Sequence, residues 1–190
     1  ATTDGEVHDY QVKVVDDDGH PVVPGGEGEL MIKGPAMFLG YADAEQTAAS
    51  FDAEGYFATG DLGRLTVDNA IVITGRKKDL INRGGEKISA KEVEDILHQL
   101  PQINEAAVVS MPHMRLGETL CAYVILREGQ DLSLPQMVQL VSDSGVARQK
   151  IPEQLVVLND FPRTASGKVR KDQLRADIRA RLEQQTAVAQ

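Results

Sequence analysis

Two short stretches of this chain concentrate positive charge beside glycine. Gly75 to Lys91 carries Arg76, Lys77, Lys78, Arg83, Lys87 and Lys91 against Asp79 and Glu86, and Arg163 to Arg175 carries Arg163, Lys168, Arg170, Lys171 and Arg175 against Asp172. Each stretch nets +4 in a chain whose formal charge is −9, which leaves −17 for the remainder. A run of charge is ordinarily just a solvated face. Here Gly75 opens the first stretch, Gly84-Gly85 lies within it and Ser166-Gly167 precedes Lys168. Glycine lets backbone N–H groups approach an anion closely where cations are already gathered, so the pattern suits phosphate chemistry.

The elements that must position these stretches change character along the chain. Gln11 to Val15 alternates, Asp16-Asp17-Asp18-Gly19 turns and Gly28 to Gly34 supplies a second strand. A short helix is predicted over Ala44 to Ser50. The turn Asp52 to Gly55 then leads to an aromatic strand, a loop at Ala58-Thr59-Gly60-Asp61, a hairpin turn at Asp68-Asn69 and a return strand over Ala70 to Thr74. Beyond Arg76, helices and strands alternate. Ser89-Ala90-Lys91-Glu92 has the form of a capping box and opens a helix whose face is Val93, Ile96, Leu97 and Leu100, stopped by Pro101. Ile103 to Met111 and Thr119 to Leu126 read as strands, Leu134 to Ser142 as a helix, Gln154 to Leu158 as a strand and Asp172 to Leu182 as a last helix, with fraying after Gln184. Met111-Pro112 reads as a strand end. The fold class is therefore α+β: a small β-rich piece over residues 1–76, then a compact module over 77–190 with a short sheet and flanking helices. No internal repeat or low-complexity segment is visible.

Composition excludes several functions. The chain has 190 residues, 42% hydrophobic and 26% charged, in the globular range. Its acidity disfavours general binding to nucleic acid or anionic membranes. The one cysteine, Cys121, cannot form an internal disulfide, which points to a reducing compartment and a cytoplasmic location. Cys121 sits in an apolar strand and reads as a core thiol. The apolar runs are far too short for a membrane span, and Ala1-Thr2-Thr3-Asp4 lacks the basic start of a signal peptide. Histidines 8, 20, 98 and 113 lack metal-ligand spacing, so no metal site is expected. Ser166-Gly167-Lys168 lacks the upstream glycine of a P-loop, and both G-x-G-x-x-G and a nucleophile elbow are absent. Tyr41, Tyr56 and Phe57 read as packing groups.

Four segments, in order, resemble the C-terminal part of the AMP-forming adenylating superfamily of acyl-CoA synthetases, aryl-acid AMP ligases, peptide-synthetase adenylation domains and luciferases. They are Gly28 to Gly34 continuing through Met37 to Gly40-Tyr41, Tyr56 through Thr59-Gly60-Asp61-Leu62, Gly75-Arg76-Lys77-Lys78-Asp79 running on through Gly84-Gly85 to Glu92, and Pro162 to Lys168. Any one is weak; four in the family's order and spacing are specific. By this resemblance residues 1–76 are the end of a large adenylation domain and 77–190 a mobile lid domain.

The resemblance implies roles that also make physical sense. Asp61 offers two acceptor oxygens to the hydroxyls of an adenosine ribose, where otherwise it would cap a turn. Arg76 reaches the same nucleotide, although a surface pair with Asp79 would look alike in sequence. Lys87 falls where some relatives contact phosphate. Lys78 falls at the hinge about which the lid rotates. Gly84 and Gly85 line the channel for a phosphopantetheine thiol, with a plain hairpin turn as the rival reading. Lys168 is the implied catalytic lysine, stabilising charge as carboxylate attacks the α-phosphate of ATP and pyrophosphate leaves. The implied cofactors are ATP, Mg2+ with its ligands mainly in an N-terminal part this sequence lacks, and CoA or a phosphopantetheine carrier protein.

The family's phosphate-binding loop and its Tyr-Gly-x-Thr-Glu motif are absent, so the chain is expected to be a C-terminal fragment, inactive alone in adenylation. Its partners would be a carboxylic acid, ATP, CoA or a carrier protein, and the missing large domain. The parent reads as an acyl-CoA synthetase of fatty-acid metabolism. An aryl-acid AMP ligase of siderophore biosynthesis shares Ile81 to Ile88, and a non-catalytic binding or regulatory module is a third reading.

Overall fold

The structure, a computed structural model, describes residues 3–188. It divides into two compact units, Ala1–Lys78 and Asp79–Gln190. In the N-terminal unit, β1 (Gly5–Glu6), β2 (Gln11–Val15), β3 (Gly28–Lys33), β4 (Phe57–Leu65) and β5 (Ala70–Arg76) form one antiparallel sheet in the order β1-β5-β4-β3-β2. The only helix of this unit among the described residues is α1 (Ala44–Ala49), whose N-cap Asp43 accepts the amides of Glu45 and Gln46. That Asx cap satisfies two of the N–H groups a helix start leaves open.

The expected loop at Ala58 to Asp61 is instead part of β4. Ala58 pairs with Met31 and Asp61 with Arg76, and the register slips between Glu29 and Met31. The Thr59 hydroxyl donates to the Leu30 carbonyl at 2.7 Å and accepts the Asp61 amide at 3.0 Å, replacing ladder bonds lost at the bulge. Gly60 takes a positive φ of 72° there, which lets the strand absorb an extra residue and continue.

The C-terminal unit contains a short 3-10 turn's last residue, Asp79, then β6 (Leu80–Arg83), β7 (Glu86–Ser89), α2 (Ala90–Leu97), β8 (Ile103–His113), β9 (Gly117–Leu126), α3 (Leu134–Asp143), β10 (Gln154–Val157) and α4 (Lys171–Val188). β9 is central: β8 pairs antiparallel along one side, while β10 lies parallel to it and β6 meets it at Arg83 and Gly117 on the other. Ser89 caps α2 by accepting the Glu92 amide, and the Glu92 carboxylate is held by Lys150 at 2.6 Å. α2 stops at Leu97, so Leu100 packs from the turn that follows.

Two element bounds out of step with expectation have simple causes. Pro112 lies inside β8, opposite Glu118, because β8 is an edge strand and its outer side needs no N–H. α4 runs on to Val188, past the expected end at Leu182, since Gln184 to Ala187 contains no glycine or proline to stop it. Residues 189–190 lie outside the described residues.

The sheet of this unit is buried on both faces, which is why β8 and β9 read as near-continuous apolar runs. Val108, Leu120, Ala122 and Val124 face one cluster with Val93, Leu97, Met137 and Val141. Ala107, Val109, Cys121 and Tyr123 face the other with Phe161, Leu174 and Ile178. The alternation is the two-residue period of a strand. Cys121 is a core thiol, and burial pushes its pKa up to about 12.

Candidate functional site

Two of the three expected nucleotide residues, Asp61 and Arg76, lie together at one end of the β4–β5 pair, whereas Lys87 is on β7 of the other unit. Asp61 and Arg76 are directly opposite in the ladder, and Arg76 Nε donates to Asp61 Oδ1 at 2.6 Å. Glu29, from β3, accepts the Gly60 amide at 3.2 Å and pairs with Lys77 at 2.7 Å. Thr59, Gly60, Arg76, Lys77 and Lys78 line a hollow of about 420 Å³ beside these pairs. Its cationic lining suits an anion and does not suit a divalent metal such as Mg2+. Asp79 does not compete for Arg76: it is bound by Arg175 at 2.6 Å and lies 3.8 Å from Lys171. Lys78 is exposed in the 3-10 turn Lys77–Asp79, at the boundary between the units.

Gly84 and Gly85 form the two-residue turn of the β6–β7 hairpin, with φ of 62° and 94°. Two successive positive φ angles match the twist of a tight hairpin, so the turn itself demands glycine. The Asn82 side-chain oxygen accepts the Gly85 amide at 3.1 Å, and Gly84 donates to the Leu116 carbonyl at 2.9 Å. Lys87 is exposed on β7.

Lys168 stands on a third feature, the tight loop before α4. Thr164 N donates to Lys168 O at 2.8 Å, Lys168 N to Thr164 Oγ1 at 3.1 Å, and Gly167 N to Thr164 O at 2.9 Å. Arg163 grips Glu105 with two hydrogen bonds, 2.9 and 2.7 Å, and donates to the Gly167 carbonyl at 3.2 Å. The other cations of this stretch are also taken up: Arg170 by Asp172, Lys171 by Glu94 and Arg175 by Asp79. Among the described residues, Lys168 alone in Arg163 to Arg175 has no acidic partner, and it is exposed. An unneutralised cation on a braced loop can stabilise negative charge that develops on a substrate.

Sequence reasoning did not anticipate the groups behind these loops. Glu153 and Thr119 contact Arg83, His113 lies near Glu153, and Glu94 joins Lys171. They come from distant positions, and no spacing signal joins them. Asp16, Asp18 and His20 also bring ligand-type atoms within 4.8 Å, but they are exposed and Asp16 Oδ1 already accepts the amides of Asp18 and His20. Tyr56 stacks under Lys13 and Lys33, and Phe57 packs with Phe38 and Phe51, so these aromatics are packing groups.

Residues 92–168 match the family of the AMP-binding enzyme C-terminal domain. A medium-chain fatty-acid CoA ligase of Escherichia coli strain K12 is 51% identical over 176 residues, covering 92% of this chain and 31% of the relative. A vibriobactin-specific 2,3-dihydroxybenzoate-AMP ligase of Vibrio cholerae serotype O1 is 40% identical over 179 residues, 92% of this chain and 33% of the relative. The crystal structure of ATP-bound MatB from Rhodopseudomonas palustris aligns with a TM-score of 0.84 at 32% identity, over 90% of this chain and 34% of that one. Residues 92–168 thus belong to the AMP-binding enzyme C-terminal domain family, and the chain is similar over most of its length to part of adenylate-forming ligases. It spans about a third of the length of the curated relatives it matches.

Proposed function

We propose that this chain is the closing part of an AMP-forming acid–thiol ligase, with residues 1–76 completing a large adenylation domain and 77–190 acting as a lid that turns about Lys78. In the first half-reaction the acid's carboxylate attacks the α-phosphate of ATP, the bond to pyrophosphate breaks, and Lys168 stabilises the charge on both. Asp61 and Arg76 exchange their mutual pair for the ribose of the nucleotide, with Lys87 as a further phosphate contact. In the second half-reaction the thiol of CoA, guided past Gly84-Gly85, displaces AMP from the acyl-adenylate. The observation that carries this reading is Lys168 on its braced loop, with every neighbouring cation of the segment already paired. The exposed Phe38, Leu39, Tyr41 and Val67 of the N-terminal unit support a surface on which a larger domain packs.

The greater identity to the fatty-acid CoA ligase favours an acyl-CoA synthetase. The 40% identity to an aryl-acid AMP ligase supports the second reading, transfer to a carrier protein in siderophore biosynthesis. Pyrophosphate exchange with ATP and a panel of acids tests the first step, in the full-length ligase and in the 190-residue chain alone. Lys168→Ala should lower exchange by the full-length enzyme roughly 10²–10³-fold, and the isolated chain should give none. Robust exchange by the isolated chain, or full exchange by the variant, would overturn the reading. Supplying CoA or a carrier protein to the full-length enzyme separates the two acceptors.

A further inference from the structure

The β6–β7 hairpin is a weak support for a turn that must be placed accurately. Its strands have four residues each, β7 is an edge, and β6 meets β9 at the single pair Arg83 and Gly117. Main-chain pairing to β9 is therefore confined to the turn end of β6, at Arg83 and in the bond from Gly84 N to the Leu116 carbonyl. The side chain of Arg83, the residue just before Gly84, adds two ties to this single main-chain pair. Its Nε donates to the Thr119 hydroxyl at 3.2 Å, across on β9, and its terminal nitrogen binds the Glu153 carboxylate ahead of β10. Thr119 is fully buried, so a hydroxyl there needs its partners. Glu153 is itself tied down, its amide donating to the Leu120 carbonyl at 2.9 Å.

A second line of contacts reaches the same turn. His113 Nδ1 accepts the amides of Arg115 and Leu116, both at 3.2 Å, and so shapes the β8–β9 turn whose Leu116 carbonyl accepts Gly84 N. The His113 Nε2 atom lies 3.9 Å from the Glu153 carboxylate. Burial pushes the Glu153 carboxyl pKa up, but hydrogen bonds from Arg83 and Thr119 and the charges of Arg83 and His113 outweigh it and hold it below the usual range. Glu153 thus faces both supports of Gly84 as an anion.

We propose that Arg83 is a positioning residue for the thiol half-reaction: with Glu153, Thr119 and His113 behind it, it fixes the Gly84-Gly85 turn where the thiol passes, and it takes no part in adenylation. This rests on the function proposed above, and it adds a group that acts through the turn without touching substrate. Arginine is required because one guanidinium fork spans a hydroxyl on β9 and a carboxylate before β10; a lysine ammonium would reach only one of them well. Errors of about an ångström in a positioned group can cost up to roughly 10²-fold in rate.

The test separates the two half-reactions in the full-length ligase. Arg83→Ala should raise the KM for CoA, measured with preformed acyl-adenylate, roughly 10-fold while pyrophosphate exchange stays within about twofold. Arg83→Lys should recover part of the loss, and Glu153→Gln should reproduce it in milder form. An unchanged KM for CoA, or an equal loss in both half-reactions, would overturn the positioning role. Wild-type enzyme that makes adenylate but no thioester with CoA or carrier pantetheine would instead overturn the reading beneath it. In that case amide exchange on the 190-residue chain still decides the bracing: Gly84 and Gly85 should lose protection in Arg83→Ala, and unchanged protection sinks it.

Discussion

The two units of this chain reach stability by different routes. The C-terminal unit buries apolar residues on both faces of its sheet, with Ile88, Val93, Leu97, Ile103, Val108, Val124, Tyr123 and Ile178 almost wholly inaccessible. In the N-terminal unit the buried hydrophobics among the described residues are Val14, Val15, Leu30, Met31 and Ala70. That unit relies more on half-exposed features. Phe38, Tyr41, Phe51 and Phe57 form a ring cluster with centroids 5.0 to 5.9 Å apart, and Lys13 bridges Asp52 and Glu54 at 2.6 and 2.7 Å. The contrast is consistent with the proposal that the N-terminal unit completes a larger domain while the C-terminal unit carries its own core. Burial scales with the surface a segment can cover by itself, and a single thin sheet covers little.

The sharpest way to break this comparison is in the richer core. Leu97→Ala should cost about 2–5 kcal/mol, and amide exchange should show the loss in residues 79–188 while β2, β3 and β4 keep their protection. A loss shared equally by both units would show that the cores are not separate.

A smaller effect is expected at the buried tyrosine. The Tyr123 hydroxyl lies 2.7 Å from Asp177 Oδ2 and 3.1 Å from the Leu174 carbonyl, and Arg181 donates to the same Asp177 oxygen at 2.6 Å. Tyr123→Phe should cost about 1–3 kcal/mol by denaturant titration. It should also alter the response to acid. Burial raises the Asp177 pKa, but hydrogen bonds from Arg181 and Tyr123 and the Arg181 charge outweigh it and lower it overall. A carboxyl more acidic in the folded than in the unfolded chain stabilises the fold above the ordinary carboxyl range, and that contribution disappears as pH falls through the lowered value. Wild-type stability should therefore decline below about pH 4, and Tyr123→Phe should show less of that decline. An identical acid profile in the two proteins would remove Tyr123 from the network.

The smallest effect belongs to the N-terminal unit. Lys13→Met should cost no more than about 1 kcal/mol, and added salt should narrow the gap to wild type by screening the wild-type pairs. A larger loss that persists in high salt would mean this unit depends on its surface ions as the other depends on its core.

Much of the fold was legible because its signals are local. The strands over 11–15 and 28–33, the helix capped by Ser89 and the Asn69 turn each carry their pattern in adjacent residues. β4 was harder to read: Thr59-Gly60-Asp61 has loop composition, and the Thr59 bonds to Leu30 and Asp61, with ladder pairs on either side, keep it in the sheet. Pro112 misled for a related reason, since whether a strand tolerates proline depends on which edge it occupies. The site was legible in outline. Asp61, Arg76 and Lys168 stand in motifs, but the Asp61–Arg76 pair and the Arg83–Glu153 brace join residues 15 and 70 positions apart, and pairing across such distances is set by sheet register. The +4 segments illustrate the same limit: composition counted their cations, while only the fold shows which are already neutralised.

The β6–β7 turn also has a stereochemical consequence. A side chain at Gly85 would meet no atom within 4 Å, yet the φ of 94° is one that L-residues seldom adopt. Handedness, and not crowding, keeps this position bare. A D-alanine installed there by semisynthesis would preserve the turn and project a methyl into whatever passes it, whereas an L-residue would disturb the turn first. Mirror-image substitution can thus tell a glycine kept for the backbone from one kept for a ligand, a distinction that the ordinary amino acids cannot draw at this site.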